Sequence, residues 1–181
     1  MNSYAQRNYQ DILRYLKVFN NITTDIKTLS SNLNKLRNSH NPSNYGALYC
    51  LETESSLIST FATSVSRSYL KCRESLEQLK TIVRYTQETL NCSQKTLFKL
   101  SETSPIVGNI ELDFLIYENC KLCFNVLMLD FQDKGDLIEE FNNTTSLPNL
   151  IDLVSSLEKV FSSSTVVESY VGYFKSFASV L

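Results

Sequence analysis

Two runs of apolar residues spaced three and four apart constrain this chain more than any other feature in it. The first is Ile12, Tyr15, Phe19, Ile22, Ile26, Leu29, Leu33 and Leu36, without an exception. The second is Leu48, Leu51, Ile58, Ala62, Val65, Tyr69, Cys72, Leu76, Leu79, Val83, Leu90, Leu97 and Leu100, with Ser55, Thr86 and Ser93 as the polar residues on the same line. No glycine or proline lies between Leu48 and Leu100. This heptad alternation is the mark of long helices that need a partner along most of their length. Two such helices in sequence predict an antiparallel hairpin. The expected fold is all-α, an elongated helical bundle of about five helices built on that hairpin, as a single domain over 1–181.

The expected elements follow from punctuation. A first helix over 3–38 ends at Ser39-His40-Asn41-Pro42-Ser43, a run of turn formers. A long second helix covers 44–103 and stops before Ser104-Pro105 and Gly108. A third, over 109–134, is apolar on nearly every side, which predicts a central helix touching several neighbours. Gly135 then breaks the chain, and Asp136 with Glu139 has capping-box spacing for a new helix. The remaining residues of 136–181 predict shorter helices. One opens at Leu147-Pro148 with Ser146 as its cap and runs through Phe161, and the last starts at Thr165.

Length sharpens the functional expectation. At 1.5 Å per residue the first two helices are roughly 54 Å and 90 Å long. Counted from the predicted turn, the first helix covers only the first part of the second and leaves about its last twenty residues. Either the second helix breaks near Asn91-Cys92-Ser93, or the C-terminal segment or another subunit packs there. Leu90, Leu97, Phe98 and Leu100 are therefore the expected oligomerisation contacts.

Composition excludes several classes. Four glycines and three prolines in 181 residues are too few for a sandwich or barrel with a turn every ten residues or so. The first residues lack the apolar core of a signal peptide, and apolar stretches such as Val126 to Leu129 are too short for a bilayer. Five cysteines, an odd number scattered over helices, suit a reduced compartment. The expectation is an intracellular protein, cytoplasmic or nuclear, with no membrane partner. The Asn-x-Ser/Thr triplets at Asn21, Asn91, Asn142 and Asn143 then read as chance matches.

The net charge of −2 hides an asymmetry: residues 1–100 carry thirteen Lys/Arg against seven Asp/Glu, and residues 101–181 four against twelve. Two halves that complement each other explain this, as does an exposed basic face. On the second helix Arg67, Lys71, Arg84, Lys95 and Lys99 fall away from the apolar line, with Tyr45, Tyr49 and Tyr85 available to stack bases. Glu74, Glu77 and Glu88 share that face, as on any solvated helix.

Motifs of chemistry are weak. Cys120 and Cys123 have redox or zinc spacing, but they lie in the middle of the most apolar segment and the chain has a single histidine, so they read as buried structural thiols. Asp130 to Asp136 resembles a calcium loop until Lys134 and Phe141 occupy ligand positions. His40 sits in a predicted turn with no nucleophile or acid placed beside it. The expectation is no catalytic residue, no metal and no cofactor. The favoured role is a non-catalytic scaffold or adaptor that assembles with itself or another protein through its heptad helices. The alternative is an RNA- or DNA-binding protein that uses the basic hairpin face. A third reading is a ligand carrier or small enzyme with a pocket beside Cys120 and Cys123.

Overall fold

A computed structural model describes residues 3–39, 51–103, 108–144, 146–163 and 165–178. Six helices occupy them: α1 (Ser3–Ser39), α2 (Leu51–Thr103), α3 (Gly108–Asp133), α4 (Gly135–Asn143), α5 (Leu147–Ser162) and α6 (Thr165–Ala178). No strand occurs among the described residues, so the all-α class and the paired long helices are as the periodicity predicts. The chain clusters into two compact units. One takes 1–19, 78–134 and 164–181; the other takes 20–77 and 135–163.

In the second of these units, α1 and α2 run antiparallel. Asp25 accepts a hydrogen bond from the Ser75 hydroxyl at 2.8 Å, and the amide of Asn32 donates to the Ser68 hydroxyl at 2.6 Å. Moving up α1 thus moves down α2. Ile22, Ile26, Leu29, Leu33 and Leu36 of α1 and Val65, Cys72 and Leu76 of α2 are buried, as heptad positions require. Against them α4 and α5 pack as a pair and bury Ile138, Phe141, Leu150, Leu153, Val154, Leu157 and Phe161. Tyr69 joins the layers, its ring 4.9 Å from that of Phe141 and its hydroxyl donating to the Phe141 carbonyl at 3.1 Å. The serine expected to cap α5 holds the N-cap position in extended geometry, but its side chain makes no capping bond. The Ser146 carbonyl starts the helix instead, accepting from the Leu150 amide at 2.9 Å.

In the other unit, the start of α1 lies on the far part of α2: the Ser93 hydroxyl donates to the side-chain oxygen of Asn8 at 3.2 Å. Here α2 continues without interruption through Asn91, Cys92 and Ser93. The overhang expected at its C-terminal end is therefore largely covered, with Leu90 only 2 % exposed and Leu97 only 3 %. The expectation failed because it set the register from a turn at 39–43, whereas Asn8 lies beside Ser93 and Asn32 beside Ser68, further along α2 than that turn implies; residues 40–50, with His40, Tyr45, Leu48 and Tyr49, lie outside the described residues. Ile58 is half-buried and Ala62 exposed, so the thinly covered stretch of α2 is near its start.

A single turn residue, Lys134, separates α3 from α4. The break predicted at Gly135 is real but one residue earlier, and Asp136 lies inside the first turn of α4 rather than before it. On α3, Ile116, Tyr117, Cys120, Cys123, Phe124 and Leu127 face the core, and α6 packs alongside. Phe174 of α6 is fully buried and stacks on Tyr9 of α1, with ring centres 4.8 Å apart. No helix among the described residues is long and apolar enough to cross a membrane.

Candidate functional site

The third helix was expected to be central because it is apolar all round, yet only one of its faces is covered. Burial follows Ile116, Tyr117, Cys120, Cys123, Phe124 and Leu127. On the other side Leu115, Leu122 and Leu129 stand in single file, one every seven residues, with exposures of 53 %, 55 % and 57 %. Leu112, one turn before the first of them, is 40 % exposed. Positions seven apart lie nearly above one another on an α-helix, so these leucines make one ridge rather than scattered exposures.

The ridge has two different edges. On one lie Leu112, Asn119, Val126 and Asp133, each three or four residues from a ridge leucine. On the other lie Glu111, Glu118, Asn125 and Gln132, all exposed and again seven apart. Asn119 is fixed from within the chain. Its amide nitrogen donates to the Leu115 carbonyl at 2.8 Å, and its side-chain oxygen accepts from the Tyr173 hydroxyl of α6 at 2.6 Å. Tyr173 is half exposed and extends the apolar surface sideways from α3.

Of the four residues expected to carry oligomerisation, three are wholly or partly covered within the chain. Leu90 and Leu97 belong to the core, Leu100 is half-buried, and Phe98 alone is largely exposed, its ring edge-on to Phe114 at 6.1 Å between centres. The row of exposed leucines lies on α3, while at the end of α2 Phe98 is exposed.

The basic residues divide between the two units. Arg67 and Lys71 belong to one; Lys71 is 2.8 Å from the Asp25 carboxylate, which raises the pKa of its ammonium group. Arg84, Lys95 and Lys99 belong to the other, all exposed, with the Arg84 guanidinium held 5.6 Å above its neighbour Tyr85. Lys71 and Arg84 at least are thus engaged with groups of the same chain.

Cys120 and Cys123 are buried, and burial pushes both thiols up to about 12. A redox or metal-binding pair needs the opposite, an easily formed thiolate. No group of His, Cys, Asp and Glu among the described residues could hold a metal ion. Polar grooves exist elsewhere. One of about 310 Å³ between α1 and α2 is lined by Asp11, Arg14, Gln78, Thr81, Tyr85 and Thr86, with Asp11 Oδ2 and Thr86 Oγ1 buried and without hydrogen-bond partners. No family model, curated protein or solved structure matches the chain.

Proposed function

We propose that this chain is a non-catalytic assembly protein, a scaffold or adaptor that associates with other polypeptide through the leucine ridge of α3. One observation carries the reading: α3 is anchored by one apolar face and leaves a second, continuous one in water. Single exposed leucines are common on protein surfaces, but a contiguous apolar row marks a binding surface. Covering the exposed half of each of four leucines is worth roughly 1 kcal/mol apiece, and the matching surface of the partner must add a comparable gain to exceed the cost of association. The ridge is rigid by construction, because the opposite face of the same helix is locked into the core and Tyr173 pins Asn119.

The test is photo-crosslinking in cells that express the full chain. A photoreactive side chain replaces Leu122 on the ridge and, as a control, the exposed Ser155 on α5. The reading expects discrete adducts of defined mass from position 122 and none from 155. Equal yields from the two positions, or no adduct at 122, would overturn it.

A further inference from the structure

Thr86 interrupts the apolar line of α2 and is only 1 % exposed. Ser93, two turns further on, interrupts the same line, and its hydroxyl donates to Asn8 of α1. Thr86 has no such counterpart: its Oγ1 is buried and makes no hydrogen bond. A helical threonine can bond the carbonyl four residues back, as Thr89 does to Tyr85 at 2.9 Å and Thr96 to Cys92 at 3.0 Å. Thr86 leaves that bond unmade and lines the groove of about 310 Å³ between α1 and α2. A second buried polar atom without a partner, Asp11 Oδ2, is on the wall of the same groove. Buried oxygens without donors are costly, and two on one wall point to a donor that comes from outside the chain.

We infer that this groove binds a free α-amino acid with an uncharged side chain, its ammonium group donating to Asp11 Oδ2 and Thr86 Oγ1 and its carboxylate meeting Arg14. The lining carries two charged residues, Asp11 and Arg14, one of each sign. A neutral zwitterion matches both, whereas a simple amine or a simple acid sets a like charge against one of them. A protonated amine has three N–H donors and no acceptor, which suits two oxygens that lack donors. Asp11 and Arg14 are three residues apart on α1, so they are neighbours on its surface with roughly 5 to 6 Å between Cβ atoms. An ammonium and a carboxylate on one carbon are within reach of both. Arg14 is exposed and meets the ligand from the solvent side, while Asp11 Oδ2 is buried.

The rest of the lining receives the side chain. Because α1 and α2 run antiparallel, Val18 lies beyond Arg14 in the same direction as Ile82 lies beyond Thr86. Half-buried Val18 and buried Ile82 offer an apolar surface, Thr81 and Gln78 add hydrogen-bonding groups, and the exposed ring of Tyr85 flanks the opening. None of these five is charged. The volume is at the small end for a ligand pocket, which suits an amino acid better than a nucleotide. Every lining residue belongs to the compact unit that holds 1–19 and 78–134, and none is part of the α3 ridge. The assembly reading and the ligand site therefore stand or fall separately.

The test is a titration of the full chain with each of the common free L-amino acids, read by melting temperature and then by calorimetry. The amine and acid counterparts of the best binder follow (for valine, isobutylamine and isovalerate). An amino acid with an uncharged side chain is expected to raise the melting temperature saturably, with a Kd of roughly 1 mM or tighter. Both counterparts should bind at least about tenfold more weakly. Thr86→Val keeps the shape and removes the unpaired hydroxyl, so without ligand it should melt at or above the wild-type temperature while affinity falls about tenfold. Arg14→Met should weaken the amino acid but not its amine counterpart. Absence of saturable binding by every amino acid overturns the inference. So does an amine counterpart that binds as tightly as the amino acid, or a Thr86→Val variant that binds as well as the wild type. A Thr86→Val variant that melts below the wild type would show the hydroxyl to be bonded within the folded chain, which overturns the site as well.

Discussion

The hydroxyl of Tyr15 donates to the main-chain carbonyl oxygen of Leu127 at 3.1 Å, across 112 residues of sequence. The ring is fully buried, and burial, with Asp130 and Cys123 nearby, raises the pKa of the phenol far above its ordinary value. Tyr15→Phe keeps the ring and removes one buried hydrogen bond, so the expected loss is about 1 kcal/mol. Urea unfolding should show a lower midpoint with an unchanged slope. Tyr15→Ala, which also leaves a cavity, should cost about 3 to 5 kcal/mol.

Asp25 shows why an ion pair and a hydrogen bond at one carboxylate differ in weight. Its side chain is 5 % exposed and is held by the Ser75 hydroxyl, while Lys71, 70 % exposed, reaches it from solvent. Screening makes the lysine contact weak, and Lys71→Met should leave stability little changed. Ser75→Ala removes a donor from a buried charge and should cost about 1.5 to 3 kcal/mol. Thermal or urea melts of the two variants side by side decide whether that order holds.

Cys72, Cys120 and Cys123 are buried thiols whose ionisation is pushed from 9.0 up to about 12. The unfolded chain loses these protons first as pH rises, so stability is undiminished below about pH 9 and falls between there and pH 12. Tyr15 acts in the same direction. In a Cys50→Ser variant a thiol reagent at mild pH should find one fast group, Cys92, and reach the other three only on unfolding. Rapid labelling of more than one thiol in the folded chain would contradict this burial.

The long pair was legible because heptad spacing states which residues face inward: all eight predicted positions of the first helix are buried. Register was not, since nothing in the periodicity says how many residues connect two helices, and Leu90 and Leu97 were read as overhang for that reason. The leucine ridge was present in the sequence yet hidden. A helix apolar on every side has no polar face to mark the solvent, so Leu115 and Leu127 look alike until neighbouring elements cover one of them. The break expected at Gly135 falls one residue earlier, at Lys134, because the glycine marks a stop without fixing which residue makes the turn.

That lysine is 4 % exposed. Its ammonium group bonds the Asp130 carboxylate and, at 3.0 Å, the Asp130 carbonyl, and it lies 6.0 Å from the centre of the Phe19 ring. Removing one member of such a pair takes from the other a charged contact made in a largely buried setting. Asp130→Asn is expected to destabilise the chain by about 3 kcal/mol. The double variant Asp130→Leu with Lys134→Met should recover most of that loss. A double variant as unstable as Asp130→Asn would show that the pair sets the α3 to α4 turn rather than merely tolerating burial.

The two faces of α3 predict opposite outcomes for the same substitution. Leu127 is fully buried, and Leu127→Ala removes its contacts and leaves a cavity, so about 2 to 5 kcal/mol should be lost. Leu122, on the same helix and five residues away, is 55 % exposed. In dilute solution, with no partner bound, Leu122→Ala should change stability by no more than about 0.5 kcal/mol. Urea unfolding of the two variants side by side checks the contrast. A large loss for Leu122→Ala in dilute solution would mean instead that the ridge is covered from within the chain.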